Sequence, residues 1–130
     1  MMEITVTFPG NKRVDASIGG HHIATDQPTS AGGDDMAAGP FDLYMASLAT
    51  CAGYYVLAFC QARGIPTDGL GLRQVVESDA ATKLPSRVTV HIHLPDGFPA
   101  EYRHAVAIAA EACKVKRSLN APPQFQVVTE

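Results

Sequence analysis

The sequence contains no tryptophan, only 7% aromatic residues and no run of lysine or arginine in its 130 residues. Without such a run, and with a formal net charge of −3, nothing supplies the phosphate neutralisation that nucleic-acid binding requires. The hydrophobic fraction of 46% and the charged fraction of 18% are ordinary for a globular protein. We therefore predict a single folded domain over residues 1–130 that does not bind nucleic acid.

The first residues, Met1 to Val6, lack the basic segment and the apolar segment of a secretory signal. We therefore expect a cytoplasmic protein. Its three cysteines, Cys51, Cys60 and Cys113, are an odd number. Such a number favours thiols used for chemistry or packing over a disulfide scaffold.

The longest uncharged stretch, from Leu43 to Gln61, approaches the length of a membrane span. Serine, threonine, glycine and two tyrosines interrupt it, so we predict a buried helix and no membrane partner. Pro40 is suited to the first position of this helix, and Gly64 to its end.

The remaining elements follow from apolar periodicity and turn residues. The predicted order is βββ, α, ββ, α, β: strands over residues 3–8, 13–18 and 21–25, the long helix from Pro40, strands over 70–76 and 87–94, a second helix from Pro99 to Cys113, and a strand over 124–128. This order predicts an α+β fold with a largely antiparallel sheet around two long helices.

Cys51 and Cys60 lie nine residues apart on the long helix, which puts them on opposite faces and about 13 Å apart along the axis. They cannot form a disulfide with each other. Cys113, at the end of the apolar stripe of the second helix, is a candidate partner for Cys51, with Arg117 one turn further on. From composition alone, packing is the more common role of a cysteine in an apolar helix, and for Cys60 we adopt that interpretation.

Several segments resemble the OsmC/Ohr family. They are residues 20–28, the pair Gly32-Gly33, the helix start Gly39-Pro40-Phe41-Asp42-Leu43 with Cys51 deep in the helix, the exit Gly64-Ile65-Pro66, and the run Cys113-Lys114-Val115-Lys116-Arg117-Ser118-Leu119. The resemblance covers essentially the whole chain. It implies an OsmC-like fold and an intertwined homodimer with active sites at the subunit interface.

The resemblance also implies a thiol peroxidase that reduces organic hydroperoxides without a cofactor. Cys51 would be the peroxidatic cysteine and Cys113 the resolving one, and an external thiol or dithiol would reduce their disulfide. Arg13 best matches the arginine that polarises the thiolate in the hydroperoxidase branches. Those branches have a glutamate directly after the helix-start proline, where this chain has Phe41, and its nearest acid is Asp42.

The apolar flanks of the long helix suit a hydrophobic hydroperoxide better than hydrogen peroxide. Phe41, Asp42, Tyr54 and Tyr55 are the candidate substrate-binding residues, although aromatic residues at helical spacing also serve as core.

Three other functions remain open from the residues alone. One is a metal site formed by cysteines with His21, His22, His91 or His93, although no Cys-x-x-Cys or His-x-x-x-His spacing is present. Another is a binding or stress-response module on the same fold that lacks peroxidase activity, which Phe41 suggests. A Cys-His hydrolase is the third, and nothing in the sequence marks an oxyanion hole for it.

Overall fold

The structure is a computed structural model that describes residues 1–130. Its contacts group the chain into two compact units, residues 1–46 and residues 47–130. Its elements confirm the predicted α+β class, with antiparallel strands and three α-helices.

The first unit contains a three-stranded antiparallel sheet. Its strands are β1 (Ile4–Gly10), β2 (Arg13–Ile18) and β3 (His21–Ile23), in the order β1-β2-β3. The turn between β1 and β2 requires a left-handed backbone at Asn11, with φ of 45°, which asparagine tolerates better than most residues. Residues 24–39 form a loop with a 3₁₀ turn at Thr29–Ala31, as the glycine-rich composition predicts.

Helix α1 (Pro40–Ala62) is the long helix that the sequence predicts. The Asp42 carboxylate accepts a hydrogen bond from the amide of Gly39 at 3.1 Å and satisfies one of the free donors at the helix start. Gly64 ends it with φ of 64°. Only 28% of its apolar window is buried within the chain, and this helix is long and apolar enough to cross a membrane by length and composition alone.

The second unit pairs β4 (Gly71–Ser78) with β5 (Pro85–His93) in an antiparallel hairpin. Helices α2 (Arg103–Glu111) and α3 (Lys114–Asn120) follow. Side chains from α1, α2 and the connecting loops form the core, which consists of Val56, Phe59, Cys60, Ile65, Phe98 and Val106.

The second helix predicted from Pro99 to Cys113 is present as a 3₁₀ turn at Ala100–Tyr102 followed by α2, and the chain breaks from helix at Cys113 before the unpredicted α3 begins. Cys113 has φ of −46° and ψ of 120°, and its sulfur accepts a hydrogen bond from the amide of Lys116 at 3.4 Å. A side chain that caps the following helix stabilises this break. One long helix and two short ones therefore replace the two predicted long helices.

The predicted strand over residues 124–128 is also wrong, since no strand lies there. Phe125 and Val127 alternate as a strand requires, yet they are 87% and 95% exposed. An alternating pattern forms a strand only where a neighbouring strand accepts its backbone hydrogen bonds.

Candidate active site

Cys51 and Cys113 meet in the second unit, although 61 residues separate them in the sequence. Cys51 lies in the middle of α1, half-buried, and Cys113 is 2% exposed at the junction of α2 and α3. The Cys113 sulfur lies 3.9 Å from the carbonyl oxygen of Leu48, and Leu48 is on the turn of α1 directly before Cys51. The side chain of Cys113 also donates a hydrogen bond to the Cys51 sulfur.

The surroundings of Cys51 favour its thiolate. Burial opposes ionisation, but hydrogen bonds from the amide of Val115, the thiol of Cys113 and the amide of Lys114, together with the charge of Arg117, lower the pKa of Cys51 overall. The two amides are available to Cys51 because α3 begins there and its first N–H groups have no partner within the helix. The break in the helix at Cys113 therefore creates the donors that stabilise the Cys51 thiolate.

The other two cysteines are shifted in the opposite direction. Burial raises the pKa of Cys113, and the hydrogen bond to Cys51 and the charge of the Cys51 thiolate raise it further. Burial also raises the pKa of Cys60, which is 1% exposed in the core. At neutral pH the chain therefore has one thiol disposed to ionise, one that holds a proton beside it and one that is inert.

An apolar cavity of about 490 Å³ opens beside Cys113. Most of its lining is aliphatic, with one charge of each sign at Lys116 and Glu111. Residues of all three helices and both strands of the second unit contribute, among them Leu48, Ala52, Val90, Ile92, Ala110 and Leu119. A pocket of this size and polarity suits a small apolar ligand.

Arg13 lies on β2 in the first unit and forms an ion pair with Asp15. The Nη2 atom of Arg13 lies 3.2 Å from Oδ2 of Asp15, and Nε2 of His22 lies 3.1 Å from the same oxygen. Asp15 is 4% exposed. The sequence interpretation missed Asp15, although its signal is readable: residues 13 and 15 of a strand project from the same face.

The proposed substrate-binding residues fall into two pairs. Phe41 and Tyr44 pack with ring centroids 5.7 Å apart at the start of α1, where Asp42 binds the amide of Gly39. Tyr54 and Tyr55 form an edge-to-face pair with centroids 5.4 Å apart. None of the residues proposed for substrate binding, Phe41, Asp42, Tyr54 or Tyr55, lines the cavity beside Cys113.

Across residues 1–130, no group of three or more His, Cys, Asp or Glu side chains comes together in a way that could hold a metal ion. His91 and His93 project from an exposed face of β5, and His21 and His22 lie on the exposed strand β3.

Comparison with solved structures finds the same fold in several proteins. A Psychrobacter arcticus protein named for osmotic stress induction and a detoxification response superposes with a TM-score of 0.77 at 24% identity, over 91% of this chain and 88% of that chain. An OsmC-like protein from Mycoplasma pneumoniae gives a TM-score of 0.71 at 14% identity, over 94% and 89%. An organic hydroperoxide resistance protein from Legionella pneumophila gives 0.61 at 19% identity, over 92% and 88%.

A search of curated proteins found no significant match. The OsmC-like protein family, in contrast, matches residues 32–128, which include the second half of the loop before α1, both cysteines of the candidate site and all but the last two residues of the second unit. With the fold shared by the solved structures, this match identifies the chain as a member of the OsmC-like protein family.

Proposed function

We propose that this protein is a cysteine-based peroxidase that reduces organic hydroperoxides, with Cys51 as the attacking thiolate and Cys113 as the resolving thiol. One observation carries the proposal: the pKa of Cys51 is lowered while that of its hydrogen-bonded neighbour Cys113 is raised. A two-cysteine peroxidase requires one ionised sulfur and one nearby thiol held in reserve. The organic hydroperoxide resistance named for the Legionella pneumophila protein of the same fold supports the same chemistry.

In the first step, the Cys51 thiolate attacks the terminal oxygen of the hydroperoxide and the O–O bond breaks. The alkoxide takes up a proton and leaves as an alcohol, while Cys51 becomes a sulfenic acid. Cys113 then loses its proton and attacks the Cys51 sulfur, and hydroxide leaves and is protonated to water. An external thiol or dithiol returns two electrons to the resulting Cys51–Cys113 disulfide by thiol–disulfide exchange.

The cavity beside Cys113 supports an organic substrate over hydrogen peroxide. Its volume of about 490 Å³ and its aliphatic walls would bind an alkyl or aryl group, whereas hydrogen peroxide offers no apolar surface. We expect hydrogen peroxide to react more slowly for this reason. No cofactor takes part, since both electrons come from the thiols. Four further residues are proposed to contact the substrate only outside this cavity; they are Phe41, Asp42, Tyr54 and Tyr55.

Uncovered apolar surface supports the proposed homodimer. Most of the apolar length of α1 is not buried within one chain, and every residue of β1 is exposed, including Ile4, Val6 and Phe8. A second copy would remove this surface from water. We place the protein in the cytoplasm, where cellular thiols keep its cysteines reduced.

A binding or stress-response module without peroxidase activity is the second candidate. A specific observation favours it: Phe41 stands where the hydroperoxidase branches have an acid, and the carboxylate of Asp42 is engaged by the amide of Gly39. Phe41 has no carboxylate with which to orient a catalytic arginine, and one oxygen of Asp42 is already bound to the backbone.

Thiol counting after peroxide treatment distinguishes the two functions. Reduced protein is treated anaerobically with one equivalent of cumene hydroperoxide, free thiols are titrated, and the linked peptides are mapped by mass spectrometry. The same treatment is applied to Cys51→Ser and, as a matched control, to Cys60→Ala. Loss of two thiols with a Cys51–Cys113 linkage in wild type and Cys60→Ala, but not in Cys51→Ser, is the expected result. Survival of all three wild-type thiols would favour the binding module.

A further inference from the structure

We propose that the external thiol enters the cavity beside Cys113 and attacks the Cys113 sulfur of the oxidised protein, so that Cys51 leaves as a free thiolate. This reductive step rests on the proposed function, and every residue that takes part in it belongs to the second unit. The transient mixed disulfide with the reductant therefore forms on Cys113 and not on Cys51.

The cavity gives access to one of the two sulfurs. Cys113 is among the residues that line it, and Cys51 is not. Because Cys113 is only 2% exposed, a thiol reaches its sulfur through the cavity and not across the protein surface. Cys51 is half-buried and more open to solvent, so exposure alone does not select the sulfur that is attacked. The groups that stabilise the leaving sulfur make that selection.

The surroundings of Cys51 suit it to be the leaving group. Attack on one sulfur of a disulfide expels the other as a thiolate, and the more acidic thiol is expelled faster. Burial disfavours a Cys51 thiolate, but the donors around it, two amides at the start of α3 and the charge of Arg117 among them, lower its pKa overall. Attack on Cys51 would instead expel Cys113, whose pKa burial raises. Expulsion of Cys51 is therefore the faster of the two reactions.

The donors on α3 also remain available after the attack. The amides of Lys114 and Val115 and the guanidinium of Arg117 belong to α3, and none of them depends on a free thiol at Cys113. They can stabilise the charge that develops on Cys51 while Cys113 carries the reductant. Donors that are already in place stabilise such a charge without reorganising.

The walls of the cavity suit a thiol with an apolar carbon framework. They are mostly aliphatic and include Val90, Ile92 and Leu119, so they favour apolar groups over strongly hydrated ones. The same space accommodates the alkyl or aryl group of the hydroperoxide, and it is vacated when the alcohol leaves. The oxidant and the reductant thus use one cavity in turn.

Electrons and protons balance over the reductive step. A thiolate of the reductant bonds to the Cys113 sulfur, the bond between the two cysteines breaks, and its electron pair stays on Cys51. A second thiol then attacks the reductant's own sulfur in the mixed disulfide. Cys113 leaves, takes up a proton and again donates a hydrogen bond to Cys51, while the reductant departs as a disulfide. The nucleophile Cys51 is therefore regenerated first.

Trapping the mixed disulfide tests the direction of attack. The Cys51–Cys113 disulfide is formed with diamide, and the oxidised protein is mixed with benzyl mercaptan, which has no second thiol to release the product. Samples are quenched with N-ethylmaleimide in acid and mapped by mass spectrometry. The ratio of adducts is extrapolated to zero time, because a freed thiolate can attack the mixed disulfide in turn. We expect the benzyl adduct on Cys113 and the maleimide on Cys51, with the same ratio in the matched control Cys60→Ala.

Narrowing the cavity tests the route. Ala107 lines the cavity and is exposed on α2. Ala107→Phe is expected to slow reduction of the disulfide by benzyl mercaptan about tenfold, because small changes of volume in an apolar pocket have effects of this size. Ala100→Phe, the same change at an exposed position outside the cavity, is the matched control and should react like wild type. Thermal unfolding is measured on both variants.

The possible outcomes separate this step from the peroxidase itself. An adduct mainly on Cys51, or equally on both cysteines, would overturn attack at Cys113 while the peroxidase proposal stands. A wild-type rate in folded Ala107→Phe would overturn entry through the cavity. Trapping uses the wild-type protein and decides the direction of attack even if that variant does not fold. A wild type that does not consume cumene hydroperoxide would overturn both proposals.

Discussion

Cys113 donates a hydrogen bond to the sulfur of Cys51, and this contact separates the acidities of two thiols that are both partly desolvated. Burial alone would raise both pKa values. The donated hydrogen bond helps the amides of α3 and the charge of Arg117 to reverse that effect at Cys51, and it adds to burial at Cys113. The hydrogen bond therefore makes Cys51 the more acidic thiol and favours the protonated form of Cys113 before any oxidant is present.

Replacing Cys113 by alanine should make Cys51 less acidic. The variant loses the hydrogen bond from position 113, so the pKa of Cys51 should rise and the pH profile of its alkylation by iodoacetamide should move to higher pH. Cys113→Ser keeps a hydroxyl donor and is expected to shift the profile less. A profile that moves to lower pH in Cys113→Ala would contradict this assignment.

Arg117 should act on Cys51 through its charge alone. Arg117→Gln is expected to slow alkylation of Cys51 by about two- to fivefold at neutral pH, because interactions of exposed charges are weak. The difference from wild type should shrink in 1 M salt, where screening acts within about 3 Å. Arg103→Gln, an exposed arginine on α2, is the matched control, and an equal effect there would show that only the net charge matters.

Asp26 should make the fold sensitive to acid. Hydrogen bonds from the amides of Met36 and Gln27 lower the pKa of Asp26 against the opposing effect of burial. Because the folded pKa lies below the unfolded value near 3.9, the stabilisation is complete above about pH 5 and is lost as pH falls through the folded pKa. The urea midpoint of wild type should therefore drop between pH 7 and pH 3 by more than that of Asp26→Asn. Asp68→Asn, at an exposed position, should follow wild type. A parallel decline of all three proteins would assign the acid sensitivity elsewhere.

Leu57→Glu should weaken the proposed homodimer. Leu57 is 37% exposed on α1, one turn after the 64% exposed Tyr54, on the apolar surface that a second copy would cover. A carboxylate buried there without a partner opposes association. Sedimentation equilibrium should give twice the chain mass for wild type and a shift towards monomer for Leu57→Glu, with Met36→Glu in the exposed loop as the control. A monomeric wild type would contradict the dimer proposal.

The elements that the sequence predicts correctly are those whose signals are local. The three amino-terminal strands, α1 and the β4–β5 hairpin each combine apolar periodicity with turn or capping residues within the segment itself. The strand expected over residues 124–128 had the same alternation but depends on a partner strand, which no local pattern supplies. The second helix was predicted to end at Cys113, but α3 was not predicted, because its start depends on a hydrogen bond to the Cys113 side chain that no apolar periodicity signals.

The candidate site was predictable in its residue types and not in its geometry. The family resemblance singles out Cys51 and Cys113, and the structure brings them together; the roles of Cys51, Cys113 and Arg13 stay predictions. Asp15 was not predicted as a site residue because an acidic residue on a short strand is usually a solvated surface residue. Its spacing from Arg13 is readable in the sequence, but its burial and the pairing of β2 with β3, which brings His22 alongside, depend on tertiary structure.

The distance along the chain between Cys51 and Cys113 has a consequence for the durability of the protein. A covalent link between them would close a loop of about 60 residues that includes the core of the second unit. Such a closure lowers the conformational entropy of the unfolded chain and thereby stabilises the folded form by about 4 kcal/mol at 25 °C. During each turnover the protein would pass from a reduced form without the cross-link to an oxidised form that contains it. Under oxidant exposure the protein would resist heat and proteases best when its reductant is depleted, so that it outlasts the stress with its cysteines shielded as a disulfide.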